Sequence, residues 1–434
     1  MRISPIVLLL FFSVLGCGAG VEPPTPIKLV PNSADAQAAI EAAIREALEK
    51  PSGELTQADL ERVKNLSLRH NHRGARITDL TPLAELKGLQ TLDLSFNEIT
   101  DLSPLAGLTK LTELRLERNP IADLTPLGDL KGLKTIELDH NEVRDLKPLA
   151  AMKELEKLEL GSNEIADVSP LAELYGLKVL YIHGNEISEL RPLAGLTKLV
   201  ELGLSANRIT DLTPLRGLTM LESLSLVDNR ITDLKPLSGL TGLKSLDLHD
   251  NQISDLTPLA GLQELENLGL YDNDIINLTP LARLSKLTAL SAGENQISDL
   301  TPLAGLKELQ SLSLFDNQIA DLTPLAGLTQ LKSASLFLNH VSELPPLARL
   351  KNLETLNLDW NRITDVAPLA DLTTLESLSL RHNRITDPTP VGGTAGTRAA
   401  EPQRQPGLDR RRDQQASAGD SRVQDLRQPR RTGS

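Results

Sequence analysis

The chain has a single cysteine, Cys17, among 434 residues, so no disulfide can staple it internally. It has few aromatics: one Trp, three Tyr and five Phe. Two of these, Phe11 and Phe12, fall in an apolar run near the N-terminus, and the remaining seven are too few to build a core. The longest apolar run, Ile6 to Leu15, falls short of the ~20 residues that cross a bilayer as a helix. No G-x-S-x-G, H-E-x-x-H or phosphate-cradling glycine loop occurs. His70, His72, His140, His340 and His382 are scattered. We therefore expect no enzyme, no catalytic residues, no cofactor and no metal. Positive charge is also scarce: 45 Lys and Arg stand against 58 Asp and Glu, a net of −13. The last 43 residues carry nine Arg and five acids, which leaves −17 on residues 1–391. A surface of that sign disfavours nucleic acid and anionic lipid and favours neutral or basic partners.

What the chain does have is a strict 22-residue period. It is counted by fourteen asparagines: Asn97, Asn119, Asn141, Asn163, Asn185, Asn207, Asn229, Asn251, Asn273, Asn295, Asn317, Asn339, Asn361 and Asn383. A looser fifteenth copy at Asn71 precedes them, with His72 to Ala75 inserted before Ile77. A period in this range marks a solenoid. Within a copy, Leu92 and Leu94 alternate with Thr91, Asp93 and Ser95, the signature of a short strand with one face inward. Asn97 sits where the chain leaves the strand, and its amide can bond backbone groups of the turn. Stacked copies make an asparagine ladder. Ser103 reads as an N-cap with Pro104 at the first helical position, opening one turn of 3₁₀ or α-helix on the convex side. One copy carries about seven apolar anchors, too few to order 22 residues alone, so stability must come from stacking.

The consensus L-x-x-L-x-L-x-x-N-x-I-x-D-L-x-P-L-x-x-L-x-x resembles the 22-residue class of leucine-rich repeat and is most similar to the bacterial internalins. The resemblance covers about residues 55 to 391. It implies an α/β solenoid, an arc with a parallel concave β-sheet, short helical turns on the convex side and a helical N-terminal cap. A eukaryotic phosphatase-regulatory subunit shares the repeat class, so the repeat alone does not set a compartment.

The ends bear on that. Met1-Arg2-Ile3-Ser4-Pro5, the apolar run and Gly16-Cys17 read as an export signal over residues 1–16. Val14-Leu15-Gly16-Cys17 resembles a lipobox, which implies lipidation of Cys17 and a stable membrane anchor there. Gly18 rather than Asp after it resembles outer-membrane sorting. We expect a chain exported and lipid-anchored in a bacterial cell envelope, at the outer membrane or cell surface, touching membrane only through that anchor. Residues 17–32, rich in Pro and Gly, read as a flexible tether. Residues 33–64 carry Ile40, Ala43, Ile44, Ala47 and Leu48 at helical spacing, then Thr56-Gln57-Ala58-Asp59 as a second helix start. They read as a helical cap over the open end of the array. Residues 65–391 are the array. Residues 392–434 lose the repeat and should be disordered. They read as a nucleic-acid tail, an adhesive cationic tail or, as we favour, a frameshifted stretch of repeat. Arg404-Gln405-Pro406 returns as Arg427-Gln428-Pro429 at nearly the repeat spacing. Internalins usually follow the array with an immunoglobulin-like module, and this sequence shows none.

Binding residues are expected on the concave face, four and two positions before each ladder asparagine, with the position just before it at the rim. Tyr181, His183, His249, Tyr271, Phe315 and Phe337 fall on the face, and Phe96 and Trp360 on the rim. Tyr175 is the aromatic that misses both. Clustered aromatics suit a protein or glycan ligand, although rings packing on one another across strands is the plain alternative. The face is graded: Glu113, Arg115, Glu117, Glu137, Asp139 and Glu159 come first, then small residues at Ser225, Ser291, Ser313 and Ser335. Asp228, Asp250, Asp272, Glu294 and Asp316 form a row along the rim. One carboxylate per layer cannot close a shell around calcium, so we read this row as solvated. The Asp101, Asp123 and Asp145 series reads as turn residues bonding local backbone. Asn65-Leu66-Ser67 and Asn277-Leu278-Thr279 match a glycosylation pattern inside repeat positions. The expected function is recognition through the concave face. The alternatives are a structural envelope spacer and an intracellular scaffold like the phosphatase subunit.

Overall fold

A computed structural model describes residues 32–70 and 76–391, and the backbone of Thr397 and Arg398. Cys17, Asn71 and His72 lie outside the described residues, as do the signal and all of the tether but Asn32. The tail lies outside them too, apart from Thr397–Arg398.

The first strand is β1 (Asn65–Ser67). From β2 (Thr91–Asp93) onward there is one three-residue strand every 22 residues up to β15 (Ser377–Ser379). All pair in parallel, in sequence order, within one sheet. The register steps by one period, with Leu92 opposite Leu114 and Leu114 opposite Ile136. A two-residue strand, β16 (Thr397–Arg398), adds to β15, so at this point the segment read as disordered extends the sheet.

The inward leucines explain the architecture. In the copy from Leu89, the seven anchors Leu89, Leu92, Leu94, Ile99, Leu102, Leu105 and Leu108 are each at most 1% exposed. Equivalent residues of successive copies form one continuous core from Ala36 to Val391. Each copy closes with a short 3₁₀ turn such as Ser103–Leu105, with proline in its first two positions. The cap of this turn differs from the sequence reading. Ser103 is the first residue of the turn and does not cap it; instead the Asp101 carboxylate accepts the Ser103 amide at 2.8 Å. The same Asx bond recurs at Asp123, Asp145 and Asp167. A carboxylate two residues ahead reaches the amide that a hydroxyl inside the turn cannot.

At the N-terminal end, α1 (Ala34–Ala47) is capped by Ser33, buries Ala36, Ile40 and Ile44, and packs on β1. A second short helix, α2 (Gln57–Leu60), starts from a capping box between Thr56 and Asp59. Asp59 also pairs with Lys50 at 2.7 Å. That bond and those to Thr56 hold its carboxyl well below the usual range. Asn32, assigned to the tether by composition, is docked. Its side-chain oxygen accepts the amides of Thr78 and Asp79 at 2.9 and 3.0 Å, and its nitrogen donates to Asp79 O at 2.7 Å.

Parallel sheets are usually covered on both faces. Here packing runs from strand to strand, from turn to turn and from α1 to β1. Strand after strand alternates a half-buried, a buried and a half-buried residue, so the outward face stays open to solvent.

Candidate binding face

The asparagine ladder sets the geometry of this face. Asn119 donates to Leu116 O at 3.1 Å in its own copy and to Leu94 O at 3.1 Å in the copy before. Its oxygen accepts the Ile99 amide of that earlier copy at 3.0 Å. The pattern repeats through Asn383. To make it, the preceding residue takes a left-handed backbone: φ is positive at Phe96, Arg118, His140, Ser162, Gly184 and on through Trp360 and His382. This conformation costs an ordinary residue about 1 kcal/mol and is easiest for Gly, Asn and Asp. The sequence reading missed it, although Gly184 and the recurrent rim aspartates were the available signal.

The aromatic and histidine candidates do not form one site. Tyr181 and His183 line a cleft of about 300 Å³ with Glu117, Glu137, Asp139, His140 and Glu159. Lys157 bridges Glu137 and Glu159 at 2.8 and 2.9 Å, and Arg115 reaches Glu137 at 3.2 Å. Burial pushes the Asp139 carboxyl up to about 7, aided by the Glu159 charge and opposed by the Gly161 amide, which donates to it at 2.6 Å. Burial lowers the His140 imidazole, and Arg118 beside it adds to the effect. Tyr181 donates a hydroxyl hydrogen bond to Glu201, and burial together with that carboxylate pushes its phenol up to about 12.

His249, Tyr271, Phe315 and Phe337 form a second group, a column of rings across the strands. The centroids of His249 and Tyr271 lie 5.6 Å apart edge-on, those of Tyr271 and Phe315 5.5 Å apart, and Phe315 and Phe337 stack at 4.5 Å. The rings are half-buried by one another, so cross-strand packing accounts for part of their burial. His249 Nδ1 accepts the Tyr271 amide at 2.7 Å, which leaves the proton on Nε2, 3.4 Å from Asp247. Tyr271 donates its hydroxyl to Glu294 at 3.1 Å, and burial plus that carboxylate push its phenol up to about 12.

Trp360 stands apart from the column and stacks on His382 at 3.9 Å. His382, passed over in the sequence as scattered, occupies the same rim position one copy later, and that shared register was its signal. Phe96, the other rim aromatic, lies under the guanidinium of Arg69 at 4.3 Å.

Concave glycines give the rings their room. A Cβ on Gly203 would lie 2.6 Å from Tyr181, one on Gly269 2.7 Å from His249, and one on Gly293 2.5 Å from Phe315. Phe315 therefore leans over Gly293 to reach Tyr271, two copies away. Among the described residues no group of three His, Cys, Asp or Glu is placed to hold a metal ion, and no helix is long and apolar enough to cross a membrane.

A family model described as leucine-rich repeats in two copies matches residues 61–107, 87–129, 176–217, 219–261, 285–327 and 351–392. Among solved structures, an internalin (inlF) of Listeria monocytogenes is 35% identical, with a TM-score of 0.65 over 79% of this chain and 94% of its own. A leucine-rich repeat protein of Leptospira interrogans is 27% identical, with a TM-score of 0.69 over 77% of this chain and 94% of its own. The ectodomain of the plant receptor kinase GASSHO1/SCHENGEN3 of Arabidopsis thaliana shares the fold at 21% identity, with a TM-score of 0.64 over 79% of this chain and 48% of its own. No curated protein matches the chain. With more than half its length matched and an internalin covered almost end to end, this chain belongs to the leucine-rich repeat family, with an internalin-like solenoid.

Proposed function

We propose that this protein is exported, lipid-anchored through Cys17 in a bacterial cell envelope, and recognises a protein ligand through its concave face. The observation that carries the reading is the open face itself. The array leaves one side of a long sheet uncovered, and there it places rings on glycine seats instead of the small polar residues that solvent alone would require. Half-buried aromatics on a preformed surface suit binding hot spots, because they gain contact area with little loss of freedom. The lone cysteine after a short apolar run supports the anchor. A lipid anchor would present the array to partners without involving its acidic surface in the membrane.

Two measurements test this. Radiolabelled palmitate should enter the full chain expressed in a bacterium and should be lost in Cys17→Ser; equal labelling of both would refute the anchor. Full-length protein should capture an envelope or host-surface protein, and the Phe315→Ala/Phe337→Ala/Trp360→Ala variant should lose it. Undiminished capture would point to a spacer whose face is inert, and capture of glycans alone would transfer the site to a carbohydrate.

A further inference from the structure

The C-terminal half of the face has an uncompensated charge pattern. From β8 (Ser223–Ser225) to β14 (Thr355–Asn357), the outward positions of the strand and of the two residues after it contain no Lys or Arg. The rim beside them carries Asp228, Asp250, Asp272, Glu294 and Asp316 in consecutive copies. No Lys or Arg forms an ion pair with Asp228, Asp250, Asp272 or Glu294 among the described residues; the nearby pairs Lys244–Glu222 and Lys286–Glu264 lie elsewhere. The N-terminal half behaves differently, since there Lys157 pairs with Glu137 and Glu159, and Arg115 with Glu137.

The left-handed backbone explains why aspartate is tolerated at the rim but does not dictate it. The same position holds Phe96, Ser162, Ala206, Leu338 and Trp360 in other copies. Glu294 gains nothing from that conformation. Like charges at the ~4.8 Å strand spacing repel, and Asp250 shows the strain: burial and then its neighbour Asp272 raise its carboxyl above the ordinary value. The row runs directly beside the ring column, joined to it by the Tyr271–Glu294 bond at 3.1 Å. On the other side of the rings the floor is small at Ser291, Ser313 and Ser335, while Asp247 and His249 take the space over Gly269.

We propose that this half of the face is a trough for an extended basic segment of a protein partner, whose Lys and Arg side chains lie across the ring column with their charged ends at the rim carboxylates. The small floor admits a backbone. The stacked rings offer apolar contact to the aliphatic stems of Lys and Arg, and the carboxylates supply the opposite charge. From β9 (Ser245–Asp247) to β13 (Ser333–Ser335) the trough spans roughly 19 Å at ~4.8 Å per strand, the length of about six extended residues.

The proposal rests on the reading that the concave face captures a protein, and the test separates the two. The probe is a fluorescein-labelled peptide of about ten residues, alternating Lys or Arg with Gly and Leu; its control carries Glu in place of each base. Anisotropy with the full chain should show the basic peptide bound and the acidic one unbound. Binding should weaken about tenfold both in Asp272→Asn/Glu294→Gln and in Phe315→Ala/Phe337→Ala, with circular dichroism unchanged. No binding of the basic peptide, equal binding of both peptides, or binding unaffected by either pair would overturn the trough. Capture of the protein partner is then compared in the same two variants. If only the phenylalanine pair loses it, the basic segment is wrong and face recognition stands; if neither loses it, both fall.

Discussion

Asn229 offers a direct measure of how one copy is tied to the next. Its side-chain oxygen accepts the Ile209 amide at 3.0 Å, and its nitrogen donates to Leu204 O and Leu226 O at 3.1 Å and to Val227 O at 3.2 Å. The carbonyls are shared. Leu204 O also accepts from Asn207, Leu226 O from Asn251, and Val227 O from the Ala206 amide. Asn229→Ala therefore strands one group, the buried Ile209 N–H. An unpaired buried amide costs about 1–3 kcal/mol, and the lost side-chain packing adds to it, for a total of about 2–3 kcal/mol. Adding Asn251→Ala removes the second donor to Leu226 O as well as the acceptor of the Ile231 amide. The double variant should thus lose at least about 1 kcal/mol more than the sum of the singles. Asn119→Ala combined with Asn229→Ala shares no partner and should be additive. Urea unfolding gives the energies, and hydrogen exchange at Ile209 and Ile231 locates them. A zero coupling for Asn229 with Asn251, or unchanged protection of the Ile209 amide in Asn229→Ala, would refute the shared-carbonyl argument.

Three further outcomes follow from the same structure. Asp139 has a folded pKa of about 7, raised above the ~3.9 of an unfolded chain, so the fold holds the extra proton between those values and stability falls as pH rises from about 4 to 7. Asp139→Asn should remove that slope and stabilise the protein above pH 7 by about 1 kcal/mol once solvent screening is allowed for; parallel pH profiles of the two proteins would count against it. Asp123→Ala removes the acceptor of the Thr125 amide and should cost about 1 kcal/mol in urea unfolding, whereas Thr125→Ala, which keeps that amide, should cost less. At the C-terminal end, Leu375, Leu378 and Leu380 are 3, 2 and 5% exposed, against 0 or 1% for Leu221, Leu224 and Leu226. Amides of the last copy should exchange faster than those near Leu224, and equal protection would show that something covers this end.

Much of this molecule is written in its period. The alternation around Leu92 and Leu94 and the return of asparagine every 22 residues specify a solenoid, because only stacking lets so few leucines per copy reach full burial. Pattern alone also put Tyr271, Phe315 and Phe337 on one face, since side chains on an extended segment alternate. It did not reveal which side chain caps the 3₁₀ turn. Ser103 and Asp101 both bond backbone well, and the choice depends on the path of the chain. Nor did it divide the candidates. Tyr181 and His183 belong with Glu117 and Asp139 in one cleft, His249 joins the ring column, and Trp360 belongs with His382.

The sequence by itself thus determined the repeat, the inward leucines, the ladder position and the face on which the aromatic candidates fall, because each depends on spacing along one chain. The tertiary structure decided the left-handed turn before each asparagine, the carbonyls shared between copies and the rings seated on glycines. These depend on distances between residues 20 or more apart in sequence, set by how far each coil advances and how its side chains lean on the next.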